Sequence, residues 1–180
     1  MVCCMLHDRD LSARAEIVAA QLDALFDSLP SGYECDKQLA TFNDSYTYGE
    51  IQTRDIAVIA HNVTEPAQLT FAELGSGLGK FAIAAGFFFK HSFGTEFAPE
   101  RSAVAQRALV ALGERAPPNV ALTTGDLREF PLHCIDVVFA HNLVFSSGLE
   151  RALELKLDCE LADGVLLLSS AMFSNIHAAF

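Results

Sequence analysis

The stretch Leu69-Thr70-Phe71-Ala72-Glu73-Leu74-Gly75-Ser76-Gly77-Leu78-Gly79-Lys80 decides the fold. A short, mostly apolar run from Leu69 to Leu74 ends in a glycine-rich turn, a helix-length segment comes next from Lys80 to Lys90, and Ser92 to Glu96 again has strand character. The order is strand, turn, helix, strand. Beyond it, Ala98 to Leu112 reads as a helix stopped at Gly113, and Pro117-Pro118 punctuates the next loop. Val120 to Thr123, Ile135 to Ala140 and Val165 to Ser169 predict three further strands, with a helix from about Leu149 to Glu160 before the last. Strands alternating with helices imply parallel βαβ units, and right-handed crossovers turn those into a doubly wound α/β sheet. Ligands of such a sheet sit beyond the carboxyl ends of its strands.

Upstream the pattern is helical. Ile17, Leu22, Leu25, Phe26 and Leu29 keep helical spacing across Leu11 to Leu29, Asp10 or Ser12 can cap the start, and Pro30 stops the run. Ser31 to Tyr48 is polar and aromatic without period, and Glu50 to Asn62 reads as a helix anchored by Ile51, Ile56 and Ile59. Residues 1–65 are therefore expected to be an α-helical lead-in to a sheet domain over 66–180, the whole forming one globular unit.

Composition narrows the function classes. The 180 residues carry 12 Lys plus Arg against 23 Asp plus Glu, a net charge of −11. Phosphate binding needs a positive footprint, so nucleic acid is not expected as a strong direct partner, and a basic partner fits better. The five cysteines are odd in number and include no CxxC pair, and the histidines lack metal-site spacing. A reduced, intracellular compartment is expected. The longest apolar run, Phe81 to Phe89, is about half the roughly 20 residues needed to span a bilayer. It reads as a buried segment, and no membrane association is expected. Met1 to Leu6 lacks the charged flank of a signal peptide.

Glycines at 75, 77 and 79 let the chain turn tightly and approach a ligand without a Cβ in the way. The spacing is GxGxG, and Lys80 stands where a dinucleotide fingerprint has its third glycine. Glu73 places an acid just before the turn, where a cationic ligand can sit. The combination points away from a pyrophosphate and toward the sulfonium donor S-adenosylmethionine. Glu96, 19 residues after Gly77, can accept from both ribose hydroxyls. Asp126, after Gly125, can accept from an adenine amino group, and the amide of Asn142 can both donate and accept. Each residue taken singly also has an ordinary reading, as a turn, a cap or a strand end. Their placement at successive strand ends behind one glycine turn argues for a joint role.

Tyr48-Gly49-Glu50, Glu73 to Gly79, Glu96, Gly125-Asp126, Asp136 to Asn142 and Ser169-Ser170-Ala171-Met172-Phe173 stand in an order and spacing that resembles the disruptor-of-telomeric-silencing histone lysine methyltransferases, which lack a SET domain. The likeness runs from about Tyr48 to Phe173. It implies a Rossmann-like class I methyltransferase sheet with S-adenosylmethionine as donor and S-adenosylhomocysteine as product. It further implies that Tyr48, Gly49, Glu50 and Ile51 fold over the methionine part of the donor, and that Glu73, Gly75, Ser76, Gly77 and Lys80 form the loop beneath it. Glu96 matches the ribose carboxylate, Asp126 with Leu127 the adenine pocket, and Asn142 the asparagine beside the transferring methyl. Phe145, Ser169 and Phe173 match walls of the acceptor channel. The implied acceptor is a lysine of a histone or another basic protein, which would place the chain in the nucleus; with another substrate the cytoplasm fits.

Two positions depart from the family pattern. His141 stands where another asparagine is usual and Lys80 where glutamine is usual. Seven residues come after Phe173, whereas the family continues with two more strands, so a C-terminally shortened sheet with an open edge is expected, one on which a second copy could dimerise. Methylation of a small molecule or non-histone protein, or donor binding without turnover, are the competing readings.

Overall fold

Alternate residues of the strands bury on opposite faces of one sheet. In β1 (Thr70–Leu74) Phe71 packs into a core with Val137 and Phe139, while Ala72 and Leu74 join Val138 and Ala140 in a second core on the other face. That alternation is the period of a strand buried on both sides. The computed structural model of the chain describes residues 2–39 and 51–173, with side chains for 10–35 and 51–173.

The remaining strands are β2 (His91–Glu96), β3 (Val120–Thr124), β4 (Val137–Ala140) and β5 (Leu166–Ser169). They form one five-stranded sheet in the order β3-β2-β1-β4-β5, every neighbouring pair parallel. The direction of winding reverses between β1 and β4, the place where such sheets open a crevice for ligands. Register aligns the strand ends: Leu74 pairs with both Thr95 and Ala140, and Ala140 with Ser169. Gly75, Glu96, His141 and Ser170 therefore emerge side by side.

The helices are α1 (Val2–Phe26), α2 (Gly32–Leu39), α3 (Ile56–His61), α4 (Lys80–Ala85), α5 (Pro99–Leu112) and α6 (Ser147–Glu160). Ala15, Val18, Leu22 and Phe26 lie on one face of α1 at spacings of three and four, and bury in the same core as Ile56, Phe81 and Val104. Rings reinforce that core: Phe71 lies 5.2 Å from Phe89 and Phe81 5.0 Å from Phe139 between centroids. Phe81, Phe88 and Phe89 are buried, so the apolar run belongs to the interior. Leu153 and Leu157 of α6 fill the second core, and the Ser146 hydroxyl caps that helix by accepting from the Leu149 N–H at 3.3 Å.

Boundaries differ from the sequence expectation at the amino-terminal end. The first helix begins at Val2 rather than Leu11. The stretch after Pro30, aperiodic in sequence, holds α2, started by a reciprocal cap in which Ser31 and Glu34 bond each other's main chain at 2.8 and 3.3 Å. The helix expected over 50–62 is a 3-10 turn at Thr53–Asp55 followed by α3. No helix among the described residues is long and apolar enough to cross a membrane.

Candidate functional site

The aligned ends of β1, β2 and β4 enclose a cavity of about 100 Å³, walled by Glu73 and Gly75 below, Glu96 and Arg101 on one side, and His141 and Phe145 on the other. Ile51, Ser76, Gly77, Lys80 and Leu127 complete much of the wall. The sheet register makes this convergence, because the carboxyl ends of the three strands stop level with one another and deliver their last residues to one place.

The glycine loop is shaped by left-handed backbone. Gly75, Gly77 and Gly79 have φ of 80°, 55° and 74°, a region that costs other residues roughly 1 to 2 kcal/mol. Gly75 and Ser76 donate their N–H groups to the Thr95 carbonyl at 2.9 and 2.8 Å, clamping the loop to β2. A Cβ on Gly75 would stand 3.2 Å from Cζ of Phe145, so the ring closes over the loop. That ring narrows a space below the roughly 300 to 1,000 Å³ usual for ligand pockets.

Glu96 is buried and well held. One oxygen accepts from the Gly77 N–H at 2.8 Å, and the other from the Ala98 N–H at 2.9 Å, with the Arg101 guanidinium 3.7 Å away. A carboxylate offers about four acceptor positions, so these contacts orient Glu96 and leave room for ligand hydroxyls. Glu73 is equally buried, but its Oε2 has no hydrogen-bond partner. Burial pushes its carboxyl well above the usual carboxylate range, the Ala82 N–H opposes that shift, and the neighbouring charge of Glu96 adds to it. An unpartnered buried carboxyl is an attractive seat for a cation.

Lys80 ties the loop to α1. Its ammonium lies 3.6 Å from Asp23 and over the ring of Phe26. A wider cleft of about 520 Å³, walled by Glu16 and Asp23 of α1 and by residues 51–54, shares Ile51 and Lys80 with the first.

Several expected residues are placed elsewhere. Asn142 does not line the cavity: its amide donates to the Ala171 carbonyl at 3.1 Å and accepts the Ala171 N–H at 2.8 Å, so it pins the end of β4 to the segment after β5. The neighbour, His141, takes the wall position and bonds Ser170 Oγ through Nδ1 at 2.6 Å. Asp126 is forked by Arg128, whose Nε lies 2.9 Å from both its oxygens and which holds its carboxyl below the usual range. It faces a separate apolar groove with Phe93 and Phe130, while Leu127 does reach the cavity. Phe173 packs against the second core and Ser169 is exposed, both away from the cavity wall. Tyr48, Gly49 and Glu50 lie outside the described residues. Arg101, Thr95 and Leu149 line the site although sequence motifs do not single them out. Arg101 alone leaves a trace in sequence, as a cation five residues after Glu96 in the first turn of a helix.

Residues 35–117 match the family model described as histone methylation protein DOT1. By fold the chain has the Rossmann-like sheet of S-adenosylmethionine-dependent methyltransferases, and this segment is similar to a histone methylation family. Among solved structures, an RNA methyltransferase from Salinibacter ruber in complex with S-adenosylhomocysteine aligns at 22% identity over 68% of this chain and 76% of its own, with a TM-score of 0.54. An amino pentose methyltransferase from Micromonospora echinaspora, with S-adenosylmethionine bound, aligns at 24% identity over 81% and 58%, TM-score 0.52. A precorrin 8w decarboxylase from Methanobacterium thermoautotrophicum gives 18% over 71% and 67%, TM-score 0.54. At such identities the likeness is one of fold, the Rossmann-like class I sheet. No curated protein sequence matches the chain.

The site suits a sulfonium donor of this kind on its own terms. The unpartnered Glu73 oxygen suits a cation, Gly75 leaves the loop without a Cβ beneath the Phe145 ring, and Glu96 is oriented to accept hydroxyl protons. Among the described residues no group of three or more His, Cys, Asp or Glu could hold a metal ion.

Proposed function

We propose that this methyltransferase transfers a methyl group to a lysine amine of a basic, histone-like protein. The observation that carries the reading is the match of residues 35–117 to the histone methylation family, within a chain of net charge −11. When bound, the donor supplies a methyl group made electrophilic by a sulfonium. The chain's own task is then alignment and desolvation. Glu73 draws the cationic end of the donor into the cavity and Glu96 takes its hydroxyls, while Ile51 lines the wall toward the methionine part. Val144, Phe145 and Leu149 give the cavity an apolar side. An apolar wall penalises an ammonium more than an amine, so lysine is presented in its nucleophilic form. Asn142 fixes that wall through Ala171.

The partner is a basic protein rather than nucleic acid, and a histone acceptor places the reaction in the nucleus. The edge strand β5 has only β4 beside it among the described residues, and a second copy adds there if the protein dimerises. A second reading, a non-protein acceptor, draws support from the structural neighbours, whose names describe an RNA and an amino pentose methyltransferase.

The test supplies labelled donor with free histones, nucleosomes, RNA and small amines in parallel. Label on histone lysine, abolished by Glu96→Ala, is the expected result. Label confined to RNA or small amines would overturn the lysine assignment and leave the methyltransferase one intact.

A further inference from the structure

We propose that His141, oriented by Ser170, is the group that takes the proton from the acceptor amine in this cavity. The inference rests on the amine-acceptor reading above. It starts from the sheet register: Ala140 pairs with Ser169 and the Ser170 N–H bonds the Ala140 carbonyl at 3.2 Å, which sets residues 141 and 170 opposite one another. Nδ1 of His141 then lies 2.6 Å from Ser170 Oγ. Asn142 next to it locks the same two chain segments together through Ala171, so the pair sits on a fixed frame. The imidazole lines the cavity together with Glu73 and Phe145.

With Nδ1 engaged by Ser170, Nε2 is the nitrogen left for a molecule in the cavity. When Nδ1 carries the proton and donates it to Oγ, Nε2 holds a lone pair. In the step, one N–H bond of the lysine ammonium breaks, its electron pair stays on the amine nitrogen, and the proton binds Nε2; solvent later removes it. Burial lowers the pKa of the ring, which keeps it neutral and ready to accept. Transfer from an ordinary lysine to so weak a base runs uphill. Val144, Phe145 and Leu149 offset this by lowering the pKa of the amine they surround. The charged groups sharing the wall are Glu73 of β1, Lys80 of α4, Glu96 of β2 and Arg101 of α5, while the segment after β5 presents the Ser170 hydroxyl.

Two measurements test this. Nitrogen-15 shifts of the full chain report the tautomer: wild type is expected to carry the proton on Nδ1, and Ser170→Ala to shift toward the Nε2–H form. In kinetics, His141→Asn is expected to keep donor affinity by calorimetry while kcat at neutral pH falls about 10² to 10⁴-fold, with part of the loss regained at alkaline pH as lysine deprotonates unaided. An Nε2–H tautomer in wild type, or a variant with wild-type turnover and pH profile, overturns the proposal alone. If His141→Asn loses donor binding, His141→Gln and the tautomer decide. A wild-type chain that binds donor yet methylates no amine overturns the acceptor reading, and this role falls with it.

Discussion

The Glu96 carboxylate accepts the backbone N–H of Gly77 at 2.8 Å, across 19 residues of chain, and so joins the loop after β1 to the end of β2. One side chain both shapes the glycine loop and lines the cavity.

Glu96→Ala should therefore damage two properties together. It leaves the Gly77 and Ala98 N–H groups without an acceptor and removes the carboxylate beside the buried Arg101 guanidinium. Breaking a buried pair in this way costs about 3 to 5 kcal/mol, to be read from the urea midpoint, and donor binding by calorimetry should vanish. Glu96→Gln keeps an acceptor oxygen and should retain more of the stability than of the affinity.

Two glycines of the same loop should respond differently to alanine. Both have positive φ, but a Cβ on Gly79 would lie 2.9 Å from the Cβ of Ala105, on the rigid face of α5, whereas one on Gly75 meets the tip of the Phe145 ring at 3.2 Å. Gly79→Ala should lose the backbone cost of roughly 1 to 2 kcal/mol plus about 1 to 3 for overpacking. Gly75→Ala should lose only the first, and Phe145→Ala beside it should not restore that part. Denaturation of the two single variants and the double variant separates the contributions.

Asn119 is expected to be a purely structural residue. Its amide donates to the carbonyls of Gly86 at 3.0 Å and Phe89 at 2.7 Å, stitching the turn after α4 to the start of β3. Asn119→Ala leaves those carbonyls underbonded and should cost about 1 to 3 kcal/mol. Donor affinity should stay unchanged, because none of these groups lines the cavity.

How far sequence carries the reading depends on the range of the interactions involved. The sheet is legible because its strands are apolar runs between glycine and proline stops, and parallel order comes from alternation. Glu73, Gly75 and Glu96 are legible because each sits at a strand's carboxyl end, a place that local order alone determines. Asn142 is not: whether residue 141 or 142 faces the cavity depends on the pairing of β4 with β5, about 30 residues apart, and on Ala171 satisfying the Asn142 amide. Asp126 likewise looks open to a ligand in the sequence, although Arg128, two residues on, forks onto it. Helix α2 does carry a local sign, Ser31 with Glu34 three residues later. Its lack of apolar period hides it.

Glu73 makes the site sensitive to pH in a stated direction. Its carboxyl is raised above the ordinary 4.5, burial being the main cause. Below that value it is neutral in folded and unfolded chains alike and costs the fold nothing. As pH rises past 4.5 the unfolded chain releases the proton first, so stability falls, by up to about 1.4 kcal/mol per pH unit, until the folded carboxyl ionises too. Glu73→Gln removes this slope, and its stability advantage over wild type should grow from pH 4.5 upward in the donor-free protein. A cationic donor reverses the sign by favouring the carboxylate. Donor binding at a pH between the ordinary 4.5 and the raised value of the folded carboxyl should thus release protons in wild type and fewer in Glu73→Gln, which calorimetry in two buffers of different ionisation enthalpy measures directly. Equal release in both proteins would remove Glu73 from the donor site.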